Sequence, residues 1–585
     1  MGNKERNIEV EKLEAKDSHL DLDNQIDTKL ENETRQVQAH KISRKEAFKK
    51  MGSLALFPLA AGKLGNFKTD WDDNPVTASF RKPGLGTENL NILMIMDDQH
   101  RGDFLGCTGA SWLQTPNIDA LAKEGALFYN FYCALPSCTP ARTSLLTGLT
   151  PWHHGMLGYM DNIAQYYKLT LPQFFSQNCY DTIVTGKNHF GPPRNTQGYK
   201  TINLEEGWYT KNPNGFICDY EAWFNKMAPG KDINATGLSY NDARGGRPFP
   251  FADKLHATHW TADRAIDFIQ NNHMDSPWFL KLSFQRPHPP YDPPKRWMDY
   301  YAQMDLPQPE VGEWAKEKYK GKESTMDKTP EASSAIFPEA EIKSSRAAYA
   351  GSISFMDEQL GRVIKALKAS GQYENTFILF FSDHGEMLGD QHMYRKCRPY
   401  DPSAKIPLIM RWPTKAGNFT FPRGQQREEL VELRDILPTL ADVAGLQLPS
   451  KVDGESVLKI LRGETGWRKT LCLEHSKCYE PDNAWIAIRD KRYKLIFFTL
   501  TGQQQLFDLQ KDPHELHNLI GSSQIQQVYK ALYSALAEEM KERGEIWVQN
   551  GRLQVQKTSM IASPNYPKYS FNTGFQYHAV DHSAV

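Results

Sequence analysis

Four short apolar runs constrain this chain most, because each ends abruptly in residues that carry charge. NILMIM (91–96) runs into Asp97 and Asp98, and YDTIVT (180–185) into GKNH, with Lys187 and His189. WFLKLSF (278–284) runs into QRPHPP, with His288, and TFILFF (376–381) into SDHGE, with Asp383 and His384. The runs have strand length and are rich in Ile, Leu, Phe and Val, as buried strands are. Between them, TPNIDALAKEGALF, HWTADRAIDFIQ and AAYAGSISFMDEQLGRVIKALKASG have the apolar spacing of amphipathic helices. Strands alternating with helices predict an α/β fold: a large, mostly parallel sheet sandwiched between helices. Ligands bind beyond the carboxyl ends of the strands in such sheets. The four polar tips are therefore expected to converge at one edge, as one candidate site.

Later in the chain the texture changes. VELRDILPTLADVAG (431–445) reads as a helix, and then AWIAIRD, YKLIFFTL and QQLFDL read as short alternating strands. DPHELHNLI is expected to turn into a helix running to about residue 545. These segments predict a smaller C-terminal antiparallel sheet with one helix. The expected divisions are a catalytic domain over 85–465, a C-terminal α+β subdomain over 466–550 and a polar, aromatic tail over 551–585. The tail is expected to drape over the domain or a neighbouring subunit. Residues 302–345 are charged and weakly periodic, and read as a surface insertion or a lid over the pocket.

The N-terminus carries its own signals. Residues 1–50 are polar and highly charged without an apolar period, and are expected to be disordered. SRKEAFKKMGSLALFPLAAG (43–62) sets a basic run before a short apolar stretch ending in small residues, so 43–65 reads as an export signal. The stretch is too short to span a bilayer, which takes about 20 residues. Lys45 replaces the second arginine of a twin-arginine motif, and no cysteine follows LAAG to take a lipid anchor. A periplasmic or secreted protein is the expectation, with an amphipathic leader on a cytoplasmic protein as the alternative.

Net charge is -1, so no polybasic signature points to nucleic acid or an anionic membrane. Any anion binding must come from local charge in a pocket. The eight cysteines, at 107, 133, 138, 179, 218, 397, 472 and 478, form neither a disulfide scaffold nor the CxxC pairs of a zinc site.

Asp97, Asp98 and Asp383 are hard oxygen ligands, with His384 next in line. Three anions at one sheet edge repel unless a cation holds them, and an oxygen-dominated set favours Ca²⁺ or Mg²⁺ over zinc. Arg142, Lys187 and Lys396 could clamp a tetrahedral anion. His189 and His288 follow strand ends, where a general acid or base would work near neutral pH. In PSCTPARTSLLTG (136–148), Pro140 suits the first turn of a helix, which would leave Cys138 just outside an anion-favouring N-terminus. A thiolate is a soft ligand, whereas a hard-metal site calls for an oxygen nucleophile. Ser137 and Thr139 stay open as alternatives on these grounds.

CTPAR followed by TSLLTG resembles the signature of the type I sulfatases, C-x-P-x-R with a downstream Thr-Gly. NILMIMDDQH, TGKNHFG, LSFQRPHPPYDPP and FFSDHGEMLGDQHMYRK resemble that family's metal strands, its G-K-x-H segment and its histidine-proline segment, in the same order. LVELRDILPTLADVAG and QQLFDLQKDPHELHNL resemble its later helix and C-terminal subdomain, so the likeness spans about residues 88–525. It implies an alkaline-phosphatase-like fold and one divalent cation, Ca²⁺ or Mg²⁺, on Asp97, Asp98, Cys138, Asp383 and His384. It also implies that a maturation (formylglycine-generating) enzyme oxidises Cys138 to Cα-formylglycine before folding. A hydroxyl of the hydrated aldehyde, helped by Arg142, would then attack the sulfur of a sulfate ester, possessed for example by a sulfated saccharide. His288 would protonate the leaving alcohol, His189 would help the second hydroxyl expel sulfate, and Lys187 and Lys396 would hold sulfate oxygens.

Two departures stand out. His384 replaces the Asn of many relatives, and DQH puts His392 where a plainer glycine-rich version is usual, so His392 is assigned to substrate binding. PWHHG adds His153 and His154, with His154 a further substrate-binding candidate. The rival readings are a phosphate or phosphonate ester hydrolase of the same superfamily and a catalytically silent protein that binds sulfated glycans.

Overall fold

The computed structural model describes residues 90–206, 216–272, 276–322, 326–414, 419–480 and 482–568. The polar segment 1–50, the export-signal segment 43–65 and the end of the tail, 569–585, lie outside the described residues. The compact unit of Pro83–Ala222 and Asp232–Val585 carries the sheets and the site. The second unit is described only over Trp223–Lys231, the later part of a helix Asp219–Met227 and the turn that follows.

The main sheet has eight strands: β1 (Asn91–Asp98), β2 (Ala126–Phe128), β3 (Asp181–Gly186), β4 (Thr201–Leu204), β5 (Trp278–Pro287), β6 (Thr376–Ser382), β7 (Leu408–Arg411) and β8 (Gln425–Arg427). Their order is β8-β2-β7-β6-β1-β5-β3-β4. Every pairing is parallel except those of β7 with β2 and β6. The four runs read from sequence are β1, β3, β5 and β6, and they are contiguous at the centre.

The alternation along β1 shows why both faces are covered. Ile92, Met94 and Met96 point into one core with Leu145, Leu146, Ile436 and Leu440. Leu93 and Ile95 point into another with Ala262, Ile269, Leu360 and Val363. The helices behind these residues are α1 (Cys138–Thr147) and α4 (Ile436–Val443) on the first face, and α2 (Ala257–Asn271) and α3 (Glu339–Ala369) on the second. A strand buried on both faces has no polar alternation, hence its unbroken apolar run.

Register then aligns the tips. Asp97 lies opposite Ser382, Asp98 opposite Pro287 and Gly186 opposite Ser283. Asp383, His288 and Lys187 are each the next residue, so the charged ends share one edge.

The smaller sheet is antiparallel, β9 (Leu471–His475), β10 (Trp485–Arg489), β11 (Tyr493–Phe498) and β12 (Gln504–Asp508), with α5 (Gln526–Met540) packed on it. The helix starts later than DPHELHNLI. The Asp512 carboxylate takes the backbone N–H groups of Leu516 and His517, and Glu515 has φ 59°, so this stretch is a turn. The 302–345 segment carries a short helix, Glu313–Tyr319, and the start of α3. Its Trp314 stacks on Tyr400 and donates to the Glu515 carbonyl, which ties the segment to the C-terminal subdomain. The described tail drapes back over the same chain: Leu157 donates to the Ile561 carbonyl, and Ser563 Oγ and Asn565 Nδ2 both donate to the Trp152 carbonyl. No helix among the described residues is long and apolar enough to cross a membrane.

Candidate active site

Cys138 is the first residue of α1 rather than the residue before it, because extended Ser137 takes the N-cap position and its carbonyl accepts from Ala141 N–H. All ten residues of α1 are buried. The Ser137 hydroxyl does not cap the helix; it meets Nε2 of His475, at the end of β9, at 2.9 Å.

The sheet edge brings Asp98, Cys138, Asp383 and His384 together, with one ligand atom from each lying within 4.8 Å of the others. Cys138 Sγ is 3.1 Å from His384 Nε2 and 3.9 Å from Asp98 Oδ1. His384 Nδ1 meets the Gly385 carbonyl at 3.0 Å, which fixes a ring proton there and aims Nε2 inward, at the sulfur. Arg142 lies across the carboxylates. Nε donates to Asp383 Oδ2 at 2.9 Å, Nη2 to Asp98 Oδ2 at 2.9 Å and Nη1 to the Lys187 carbonyl at 3.0 Å. Lys187 Nζ is 2.7 Å from Asp98 Oδ2.

Asp97 stands beside this group. Its Oδ2 meets His100 Nδ1 at 2.5 Å, and His100 Nε2 meets the Phe104 carbonyl at 2.8 Å. Asp97 Oδ1 is buried with no hydrogen-bond partner among the described residues. An orphaned carboxylate oxygen next to two more carboxylates is what a bound cation would satisfy.

The electrostatics agree. Burial would raise the Asp98 carboxyl, but the charges of Lys187 and Arg142 hold it well below the usual carboxylate range. Burial disfavours charge on His384, yet Asp383 and the Cys138 sulfur outweigh it and push its pKa up to about 9. The pocket thus recruits positive charge wherever it can. Burial raises the Cys138 thiol and Asp98 adds to that, but Lys396, His384 and Lys187 together bring it below its ordinary value.

The opposite wall is cationic. Lys396 Nζ donates to Gln99 Oε1 at 2.8 Å and meets His288 Nε2 at 3.0 Å. His288 Nδ1 meets the Pro289 carbonyl at 2.8 Å, so Nε2 carries the lone pair that Lys396 meets. Burial and the charges of Lys396 and Lys187 keep the His288 pKa well below that of a free imidazole. His189 is likewise held neutral by burial, Lys187 and Arg142. Its loop is fixed by Glu206 Oε1, which accepts from the backbone N–H groups of Asn188 and His189 at 2.7 and 2.6 Å. Gly186 makes this turn possible: at φ 102°, a Cβ there would lie 1.8 Å from the Ser283 carbonyl oxygen.

Two histidines sit elsewhere. His154 has both ring nitrogens engaged internally, with Ser144 Oγ and Met156 N–H, so it packs behind α1. Its companion His153 is on the surface, paired with Asp453 and Glu542. His392 is half-buried and packs edge-on against Tyr319 of the 302–345 segment, and no hydrogen bond among the described residues joins it to the cluster.

Sequence reasoning passed over Gln99, His100 and Glu386. Gln99 bridges Lys396 to Glu386, and Glu386 Oε1 accepts the backbone N–H groups of Leu388 and Arg395. The available signal was position: Gln99 and His100 directly follow the two aspartates at the tip of β1.

Residues 90–446 match the sulfatase family, and residues 389–542 match the family described as N-sulphoglucosamine sulphohydrolase, C-terminal. An arylsulfatase of Clostridium perfringens is 38% identical over 475 residues, 79% of this chain and 97% of the relative. A choline-sulfatase of Rhizobium meliloti is 30% identical over 450 residues, 74% of this chain and 83% of the relative. The crystal structure of a phosphonate monoester hydrolase of Agrobacterium radiobacter shares 25% identity and a TM-score of 0.63, covering 78% of this chain and 96% of that one. With the carboxylate cluster, the buried cysteine and the two lysines on one sheet edge, and with these matches along most of its length, the chain belongs to the sulfatase family: it is a sulfuric ester hydrolase of alkaline-phosphatase-like fold.

Proposed function

We propose that the protein hydrolyses sulfate esters with a formylglycine made from Cys138 and one hard divalent cation, Ca²⁺ or Mg²⁺, held by Asp97, Asp98, Asp383, His384 and residue 138. The orphaned Asp97 oxygen beside the Asp98, Asp383 and His384 donors is the observation that carries this reading. The Cys138 sulfur stands where a diol oxygen would be. The cation would supply charge neutralisation at the nucleophile and the sulfate oxygens, and the hydrated aldehyde an oxygen nucleophile with a second hydroxyl through which sulfate can be expelled.

The chain's own groups do the rest. Arg142 holds Asp98 and Asp383 in fixed positions and adds positive charge under residue 138. Lys187 and Lys396 present ammonium groups to sulfate oxygens; two contacts of Lys396 orient it, on Gln99 and His288. The proton for the leaving alcohol sits between Lys396 Nζ and His288 Nε2. His189, kept neutral, is the base for the second step.

The likeness to an arylsulfatase over nearly all of that protein makes an aryl sulfate the first substrate to test, and sulfated saccharides the second. The likeness to a phosphonate monoester hydrolase supports one alternative, hydrolysis of aryl phosphonates at the same centre. Export to the periplasm or beyond, and dependence on a maturation enzyme, belong to the same proposal. The test is mass analysis of the Cys138 peptide from active protein, alongside rates on aryl sulfate and aryl phosphonate. The aldehyde form is about 18 Da lighter than the thiol. Full sulfatase activity with an unmodified thiol would overturn the mechanism, and a faster rate on the phosphonate would overturn the substrate class.

A further inference from the structure

A second cluster lies outside the site. Cys397 follows Lys396 directly and is buried, and Cys478 lies half-buried on the turn after β9. Their sulfurs are 2.8 Å apart, the one thiol–thiol contact among the described residues. His475 completes a trio whose ligand atoms lie within 4.8 Å of one another.

The two loops are locked together around these sulfurs. The Asn483 side-chain amide donates to both cysteine carbonyls, to Cys397 at 3.1 Å and to Cys478 at 2.9 Å. Trp485 Nε1 also donates to the Cys397 carbonyl, at 3.0 Å. On either side of Cys397, the Arg395 guanidinium lies 4.3 Å from the Tyr479 ring centre, and Arg398 pairs with Glu480. Backbone and side chains of residues 395–398 thus grip residues 478–480 at several points, which fixes both cysteines.

The trio does not suit a metal. Two thiolates on one zinc, each about 2.3 Å from it, would stand about 3.7 Å apart. His475 also has both ring nitrogens engaged, with the Ser476 carbonyl at 2.5 Å and Ser137 Oγ at 2.9 Å. Three ligands are in any case one short of a structural zinc site.

We infer that Cys397 and Cys478 form a reversible disulfide that staples the Lys396 loop to the C-terminal subdomain. The oxidant is the disulfide of an exchange protein or of a small molecule. Cys478, the more exposed thiol, attacks one sulfur of that disulfide as the thiolate and expels the first thiol. Cys397 then attacks Cys478 Sγ, forming the internal bond and expelling the second thiol. The two cysteines lose two electrons, the reagent disulfide gains them, and the two cysteine protons end on the two released thiols. Burial raises the Cys478 thiol, but the hydrogen bond from Cys397 and the charges of Arg395, Arg398 and Lys396 bring it below its ordinary value, which favours its attack. Lys396 already makes its contacts with the thiols apart, so the bond should leave turnover unchanged and resist opening of the loop.

The test uses the full chain in mixtures of oxidised and reduced glutathione, followed by thiol alkylation and peptide mapping. A cross-linked pair of peptides carrying 397 and 478 is expected, with the chain lighter by about 2 Da. Closing a loop of this length should raise the melting temperature by about 3–5 °C over the reduced protein, with turnover at 25 °C within about twofold. Cys478→Ser should remove both the cross-link and the shift. Alkylation of both cysteines in folded protein after oxidised glutathione would overturn the inference, and so would one equivalent of zinc or copper that protects both thiols. The peptide map of the unaltered chain decides the matter even if the variant fails to fold.

Discussion

Replacing Arg142 by lysine tests how the carboxylates are held. The guanidinium makes three hydrogen bonds in one plane, to Asp383, Asp98 and the Lys187 carbonyl, with 1% of its side chain exposed. A lysine keeps the charge, but its single ammonium on a shorter reach cannot span both aspartates. One buried carboxylate then loses a charge-assisted bond of about 1.5–3 kcal/mol, and the Lys187 carbonyl loses its donor at about 1 kcal/mol more. The expected cost is about 2–4 kcal/mol, or about 2–4 °C in melting temperature for a chain of this size. The proposed cation would offset charge on the same aspartates, so the loss should be larger in protein stripped by a chelator than in protein with Ca²⁺. Thermal melts of both proteins in both conditions measure that difference, and turnover should fall about 10²-fold. An equal or smaller loss in the stripped protein would show that Arg142 and the cation do not share these carboxylates.

Lys187→Ala and Lys396→Ala should each lower turnover by ~10²-fold or more, with melting little changed for Lys396→Ala; near-normal turnover in both would remove them from the sulfate clamp. Chelation should abolish activity and Ca²⁺ or Mg²⁺ restore it, whereas restoration by Zn²⁺ alone would contradict the hard oxygen site. Cys138→Ser should bind substrate yet not turn over, because a sulfated serine cannot collapse to an aldehyde; repeated turnover at the wild-type rate would refute the diol. Burial raises the Glu480 carboxyl, but the charge and hydrogen bonds of Arg398 pull it well below the usual range. Its contribution is therefore present above the unfolded pKa of about 4.3 and lost as pH falls through the lower folded value. Glu480→Gln should cost about 2–3 kcal/mol at pH 7 and visibly less at pH 4 in urea unfolding, and a gap that widens with acid would reverse the assignment.

The central sheet was legible because its strands are covered on both faces and so appear as unbroken apolar runs with charged ends. Asp98, Lys187, His288 and Asp383 could be placed at one edge from that fact alone. What the chain's local pattern does not record is register and partner. Gln99 became a bridge only once β1, β5 and β6 were aligned and the Lys396 loop folded over them. His475 meets Ser137, and Cys478 meets Cys397, across sequence separations that periodicity does not report. β9 escaped notice because TLCLEH is short and ends in charge at an edge of the smaller sheet. His154 shows the opposite failure: a histidine beside the signature helix has the chemistry of a ligand and the packing of a core residue.

The burial of α1 also sets a clock. Leu145 and Leu146 share a core with Leu433, Ile436 and Leu440, so the helix that begins with Cys138 lacks part of its cover until α4 has been made. About 300 residues separate them, and at ~5–20 residues per second a ribosome needs roughly 15–60 s to cross that distance. During that interval the proposed maturation enzyme would have its best access to CTPAR as linear sequence. Afterwards Cys138 is 1% exposed, at the start of a helix closed on every side. The yield of competent enzyme would then depend on how fast the chain is made relative to how fast it is modified, and slower synthesis of the segment between α1 and α4 would favour the mature form.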